Sequence, residues 1–348
     1  ILDQVDGTQK SFPCVALVRS PPTQSGGIVA ELIDLGRGTE QDFQRNSDEI
    51  RDRIVLVRHE YMFAANTIHR RLKYQWAIDH GALGFLIACH LPETGPVTGS
   101  SGATPERGIP AAGISFEVAQ ALTHEGPVRV RLHIKTKEMP CQTANLIVDL
   151  PGQVDEWVVL SAHIDGHHLA ESAMDNATGL ASVCAVAGAM APYMTHCTRG
   201  LRIALFNIEE WALAGSASFV EGLSEMEREA IKLNINLDTI AGSSHITALT
   251  SGFSKLEDWL LSQSQAHGYE IGTHRPLMAN SDHYNFARHG IPATRLVAGF
   301  NQPNSAVKFL LTPRDTRNQV APEDLKNSTT LTIALVAEAC LAKKLELR

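Results

Sequence analysis

Four segments spaced along the chain carry groups able to hold a metal ion and to move a proton. The apolar run 157–162 leads into His163-Ile164-Asp165, the run 201–207 into Glu209-Glu210, and the run 232–237 into Asp238. Asp175 sits in a polar turn, Met174-Asp175-Asn176-Ala177-Thr178-Gly179, just before an apolar stretch. Each group alone has an ordinary local reading. An Asp before a helix caps it, paired glutamates after a strand face solvent, and a strand-end His makes structural hydrogen bonds. Taken together these readings lose force, because burying several carboxylates side by side is costly unless a cation compensates. One imidazole with several carboxylates suits Zn2+, and also Mn2+ or Co2+. Asp165, two residues past His163 on an extended segment, shares its face and can orient the imidazole. Neighbouring side chains point apart, so one of Glu209 and Glu210 can bind an ion while the other stays free as a base. Metal-assisted hydrolysis needs that pair of roles: an ion to acidify water and a carboxylate to carry its proton.

Such a cluster requires strands that deliver their carboxyl ends to one sheet edge, where open α/β sheets place ligands. From residue 143 onward the pattern meets this requirement. Strand-like runs at 144–148, 157–162, 201–207, 232–237, 246–250 and 293–297 alternate with helical stretches at 178–190, 215–222, 254–267, 282–288 and 322–345. Near-continuous apolar strands between helices predict an α/β fold, with a mixed, mostly parallel sheet sandwiched by helices. Residues 15–137 have a different texture. Short β-type runs at 14–18, 28–33, 53–57, 83–88 and 128–134 surround a helix at 64–80 that stops at Gly81. The Gly/Pro/Ser/Thr-rich stretch 91–108 is expected to be a mobile loop. The first half thus reads as a small β-rich module. The expected organisation is a module at 15–137, with residues 1–14 and 138–348 forming the catalytic part.

Composition narrows the function classes. The net charge of −8 argues against a general nucleic-acid or anionic-membrane surface, and no uninterrupted apolar run reaches the roughly 18 residues of a membrane span. The six cysteines lie far apart without a CxxC pair, which excludes a thiolate zinc site and a disulfide-dense miniature. Cys184 and Cys340 fall in apolar helical stretches and read as small core residues. The chain opens at Ile1 with neither methionine nor a signal-peptide pattern, so upstream residues are expected. Compartment and oligomeric state are not legible.

The motifs resemble the co-catalytic zinc exopeptidase family that includes bacterial leucyl aminopeptidases, glutamate carboxypeptidase II and carboxypeptidase Q. Besides the four segments above they include Ser281-Asp282-His283 and Thr312-Pro313-Arg314-Asp315-Thr316, in the family's order over residues 143–345. The resemblance implies that His163, Asp175 and Asp238 ligate one metal. Asp175 would bridge to a second metal held by Glu210, with Glu209 as general base and acid and Asp165 as the carboxylate behind His163. The stretches 53–58, 77–82 and 108–115 are similar to the protease-associated domain often inserted in this family, a module without chemistry of its own.

One departure stands out. The family usually has a histidine just before Thr-Pro-x-Asp-Thr, closing the second metal site; here that position is Leu311, which cannot coordinate an ion. His167, His168 and His283 are the candidates to fill the gap. The expected activity is hydrolysis of a peptide or related amide bond, of the aminopeptidase type, with Zn2+ as cofactor. The alternatives are a non-catalytic binding or scaffold descendant, or a specialised amidohydrolase or glutaminyl cyclase-like acyltransferase. A carboxypeptidase would need a cation for the substrate carboxylate. Arg295 and Arg314 are candidates, though surface salt bridges are the simpler expectation for both.

Overall fold

The computed structural model describes the whole chain except residues 6–9, 105, 125 and 138. The expected boundary residue Glu138 therefore lies outside the described residues. These divide into two compact units. The first comprises Ile1–Cys141 with the short segments His167–Ala170 and Leu311–Arg314; the second comprises Gln142–Gly166, Glu171–Leu310 and Asp315–Arg348.

In the first unit the strands are β1 (Leu2–Gln4), β2 (Lys10–Phe12), β3 (Val15–Ala16), β4 (Ile28–Asp34), β5 (Ile54–Arg58), β6 (Gly84–Ala88), β7 (Ala111–Ile114) and β8 (Arg129–Leu132). They form one sheet in the order β2-β1-β8-β4-β5-β6-β7-β3. β4, β5, β6 and β7 run parallel, and β5 and β6 are buried almost throughout, as their continuous apolar sequences require. The helices are α1 (Glu40–Arg45), α2 (Ser47–Ile50), α3 (Arg70–Asp79) and α4 (Phe116–Thr123). Thr39 and Asp42 close a capping box on α1, and Ser115 caps α4.

Three sequence expectations are corrected here. The described residues of 1–14, expected with the catalytic part, lie in this unit, because Leu2 to Gln4 pair antiparallel with Leu132 to Val130 of β8. α3 starts only at Arg70, where His69 Nδ1 accepts from the Arg71 amide at 3.1 Å and caps it. Within the stretch 91–108, expected to be mobile, residues 97–101 pack inward. Thr94, Thr98, Ser100 and Ser101 are buried, Arg70 Nε donates to Ser100 O at 2.8 Å, and the Ser101 amide donates to Val18 O at 3.0 Å. Polarity misled the reading, because the Ser100 and Ser101 hydroxyls serve backbone groups rather than water.

In the second unit the strands are β9 (Leu146–Leu150), β10 (Val154–His163), β11 (Arg199–Phe206), β12 (Ile231–Leu237), β13 (Ile246–Leu249), β14 (Gly272–His274) and β15 (Ala293–Ala298). Their order is β14-β13-β15-β12-β10-β11-β9. β10 lies between β11 and β12, parallel to both, and β12 is parallel to β15, whereas β9 pairs antiparallel with β11 and β13 antiparallel with β15. The helices are α5 (Thr178–Met190), α6 (Ala214–Gly222), α7 (Glu225–Ala230), α8 (Ser254–Ala266), α9 (His283–Ala287) and α10 (Pro322–Leu341). Val159, Ala204, Phe206, Val220, Phe286 and Ile291 form the core between the sheet and α6 and α9. By strand alternation, Val158 and Leu160 face the other way, toward the layer in which α5 packs on α10. The stretch Ala173–His196 has the length and mean hydropathy, 1.3, of a membrane span. Val183, Val186 and Met190 of this stretch are buried within the unit. Cys340 is buried as expected, whereas Cys184 is exposed on α5.

Candidate metal centre

Because β11, β10 and β12 are neighbours and parallel, their carboxyl ends lie side by side. His163 is the last residue of β10, opposite Phe206 of β11, and Asp238 directly follows β12. Asp175 arrives from the turn before α5. His163 Nε2 lies 3.0 Å from Asp175 Oδ1 and 3.8 Å from Asp238 Oδ1. These three buried residues offer ligand atoms all within 4.8 Å of one another, and they are the one such group among the described residues. His163 Nε2 is buried and, despite both carboxylates, makes no hydrogen bond. One imidazole nitrogen and two carboxylate oxygens, converging with that nitrogen otherwise unbonded, fit a zinc ion.

Asp165 joins this group to the glutamates. Its Oδ1 is 3.6 Å from His163 Nδ1, which contacts Asp165 O at 3.0 Å. Its two oxygens accept from the Glu209 and Glu210 amides at 3.0 and 3.1 Å. Asp165 therefore sets the imidazole through its backbone carbonyl and anchors, through its carboxylate, the turn that carries both glutamates. That turn is strained. Ile208, which is β-branched, has φ +53°, a region that favours glycine. Glu209 and Glu210 are both buried. Glu210 falls outside the group within 4.8 Å.

The electrostatics explain why a cation belongs here. Burial alone would lower the His163 pKa, but Glu209, Asp165, Asp175 and Asp238 together raise it well above the ordinary imidazole range. Burial drives Glu209 well above the carboxylate range; His163 opposes this, while Glu210, Asp282 and Asp238 add to it. Asp165 and Asp238 stay below their usual range despite burial. His163 and the two amides hold the first, and Arg295 and His163 the second.

Sequence reasoning missed several residues. Arg295, expected on the surface or as a substrate anchor, is 2% exposed and pairs with Asp238 Oδ1 at 3.0 Å. It also donates to Asp238 O at 3.3 Å and to Asn280 O at 2.9 Å. Asp315 is fully buried, accepts from the Met174 and Asp175 amides at 2.8 and 3.2 Å, and is pushed up to about 7 by burial. Asp282, also fully buried, is likewise raised to about 7 by burial. The motifs containing Asp282 and Asp315 were visible in the sequence; their burial was not. His167, His168 and His283 do not join the three-ligand group. His167 is buried in the first unit and His168 is exposed. His283 is fully buried, and burial and Arg295 lower it to about 3. Leu311 is buried in the apolar core of the first unit with Leu17, Val57, Phe85 and Val97.

Residues 145–336, just over half of the chain, match peptidase family M28, and residues 15–122 match the PA domain. The chain belongs to peptidase family M28: it is a metal-dependent peptidase with a PA domain. Its relatives include aminopeptidase YwaD of Bacillus subtilis, 25% identical over 99% of this chain and 75% of that protein. Leucine aminopeptidase 2 of Trichophyton equinum is 26% identical over 70% of this chain, a match spanning 47% of the fungal protein. Among solved structures, the zinc aminopeptidase BSAP from Bacillus subtilis shares the fold with TM-score 0.75 at 24% identity, over 99% of this chain and 82% of that one. A peptidase M28 precursor from Shewanella amazonensis SB2B does so with TM-score 0.78 at 21% identity, covering 100% and 81%.

Proposed function

We propose that the chain is a zinc-dependent hydrolase of peptide or related amide bonds, acting as an aminopeptidase-type exopeptidase. The observation that carries this reading is the buried convergence of His163, Asp175 and Asp238, tied through Asp165 to the Glu209–Glu210 turn. His163, Asp175 and Asp238 would hold the ion, with Glu210 as a further carboxylate beside it. A bound divalent ion supplies Lewis acidity to water and to the scissile carbonyl. Glu209 takes the proton of the attacking water and returns it to the departing amine. Asp165 keeps the His163 ring oriented and fixes the Glu209 backbone. Arg295 is committed to Asp238 and Asn280, so it is not an anchor for a C-terminal carboxylate. The aminopeptidases among its relatives favour an aminopeptidase over a carboxypeptidase.

Glu209→Gln tests the assignment. The expected result is a fall in kcat on aminoacyl p-nitroanilides of about 10²–10⁴-fold, with zinc content by elemental analysis unchanged. A fully active variant would overturn it. Parallel assays on dipeptides and N-acyl amino acids decide which end of the substrate is read.

A further inference from the structure

We propose that Asn176 is a positioning residue that fixes the separation of Asp175 and Asp238, and with it the shape of the metal site. The inference rests on the reading of those two aspartates as ligands. Asn176 is 3% exposed, and its amide spans both ligand segments. Nδ2 donates to Leu237 O at 2.9 Å, and Oδ1 accepts from the Thr239 amide at 3.3 Å, so the side chain grips the peptide groups on both sides of Asp238. The same Oδ1 accepts from the Gly179 amide at 3.1 Å, closing the turn that carries Asp175 onto the start of α5.

The approach is close enough to need glycine at 179. A Cβ there would stand 2.3 Å from both Leu237 O and Asn176 Oδ1. Asp315 holds the same turn from its other end through the Met174 and Asp175 amides. Thr239, with φ +60°, keeps a conformation that favours glycine, and its bond to Asn176 is one of those that hold it, beside its hydroxyl on Asp238 Oδ1 and the Ala298 amide on its carbonyl. Removing the amide would leave Leu237 O, Thr239 N and Gly179 N without this partner in a buried place. The two ligand segments would then relax relative to each other. Groups that orient metal ligands typically change affinity by about 10–100-fold when lost.

The test measures the zinc dissociation constant by chelator competition, and the visible spectrum of the cobalt(II)-loaded protein, for wild type and three variants. Asn176→Ala is expected to weaken zinc by about 10–100-fold and to alter the cobalt bands. Asn176→Asp keeps both accepted bonds and should fall between Asn176→Ala and wild type. Tyr74→Phe is the control, because Tyr74 is equally buried and its hydroxyl bonds the Ile109 backbone within the first unit, whereas the ligand segments belong to the second. It should lose stability but keep the wild-type dissociation constant and spectrum. The proposal is overturned if Asn176→Ala binds zinc as wild type does with an unchanged spectrum, or if Tyr74→Phe loses as much affinity. If Asn176→Ala does not fold, an unchanged cobalt spectrum for Asn176→Asp overturns it instead. Should wild type bind zinc no better than His163→Ala, the ligand assignment itself falls. Should wild type bind tightly and the Asn176 variants match it, only the present inference falls.

Discussion

Arg295 shows how one residue can set the charge of a whole site. Its guanidinium meets Asp238 with both partners nearly free of solvent. Breaking a buried pair by removing one partner costs about 3–5 kcal/mol, mostly through the charge left uncompensated. Arg295→Met is therefore expected to lower the unfolding free energy by about that much in chelator, measured by urea denaturation. Added zinc should recover part of the loss, since a divalent ion beside Asp238 supplies the missing positive charge. An equal loss with and without zinc would argue against zinc lying next to Asp238. Arg295→Lys should behave more like Met than its charge implies, because an ammonium cannot reach Asp238 and Asn280 O together in the geometry of the guanidinium.

At the scale of elements, the start of α3 ties stability to pH. His69 caps this helix by accepting from the Arg71 amide, which requires a neutral Nδ1. Burial, then Arg70, Arg71 and Lys73, hold His69 well below the ordinary imidazole range. Burial, then His90, Arg70, Lys73 and His69, do the same for His59. The sign follows from which state takes up the proton. Below about pH 6.5 the unfolded chain protonates these imidazoles while the native chain does not. Their contribution is complete above that value and is lost as pH falls, by up to about 1.4 kcal/mol per pH unit for each histidine. His69→Asn keeps a capping side chain and removes one titration. Its unfolding midpoint, followed from neutral to mildly acidic pH, should fall less steeply than that of wild type. Parallel curves would refute the contribution of His69.

For the whole molecule, the question is how many ions the chain holds. One group of three ligand residues is present among the described residues, and Leu311 is 2% exposed within the core of the first unit. Elemental analysis after dialysis is expected to give one zinc per chain, and two would contradict the single-group reading. Zinc at about 1,000 times its dissociation constant should stabilise the fold by about 4 kcal/mol through mass action. His163→Ala should abolish that shift. A wild-type protein that neither retains zinc nor cleaves any peptide would instead support a scaffold that kept the fold and lost the chemistry.

Most of the strands could be read from local pattern, because an apolar run bounded by polar turns is a short-range signal. The three strand-end motifs were legible for the same reason, since a parallel strand carries its functional residue at its own carboxyl end. That His163 ends β10, that Glu209 and Glu210 follow β11 and that Asp238 follows β12 was thus already written in the order of residues. Tertiary structure alone decided what holds them. Arg295 meets Asp238 across 57 residues, Asp315 meets Met174 across 141, and Asn176 meets Leu237 across 61. Their residue types have bland local readings, such as a surface cation, a turn acid or a capping amide. Only folding removes the water that would otherwise be their partner. The depth of Leu311 and the packing of the stretch 91–108 were hidden for the same reason: burial is a property of neighbours distant in the chain, and one-dimensional order does not contain them.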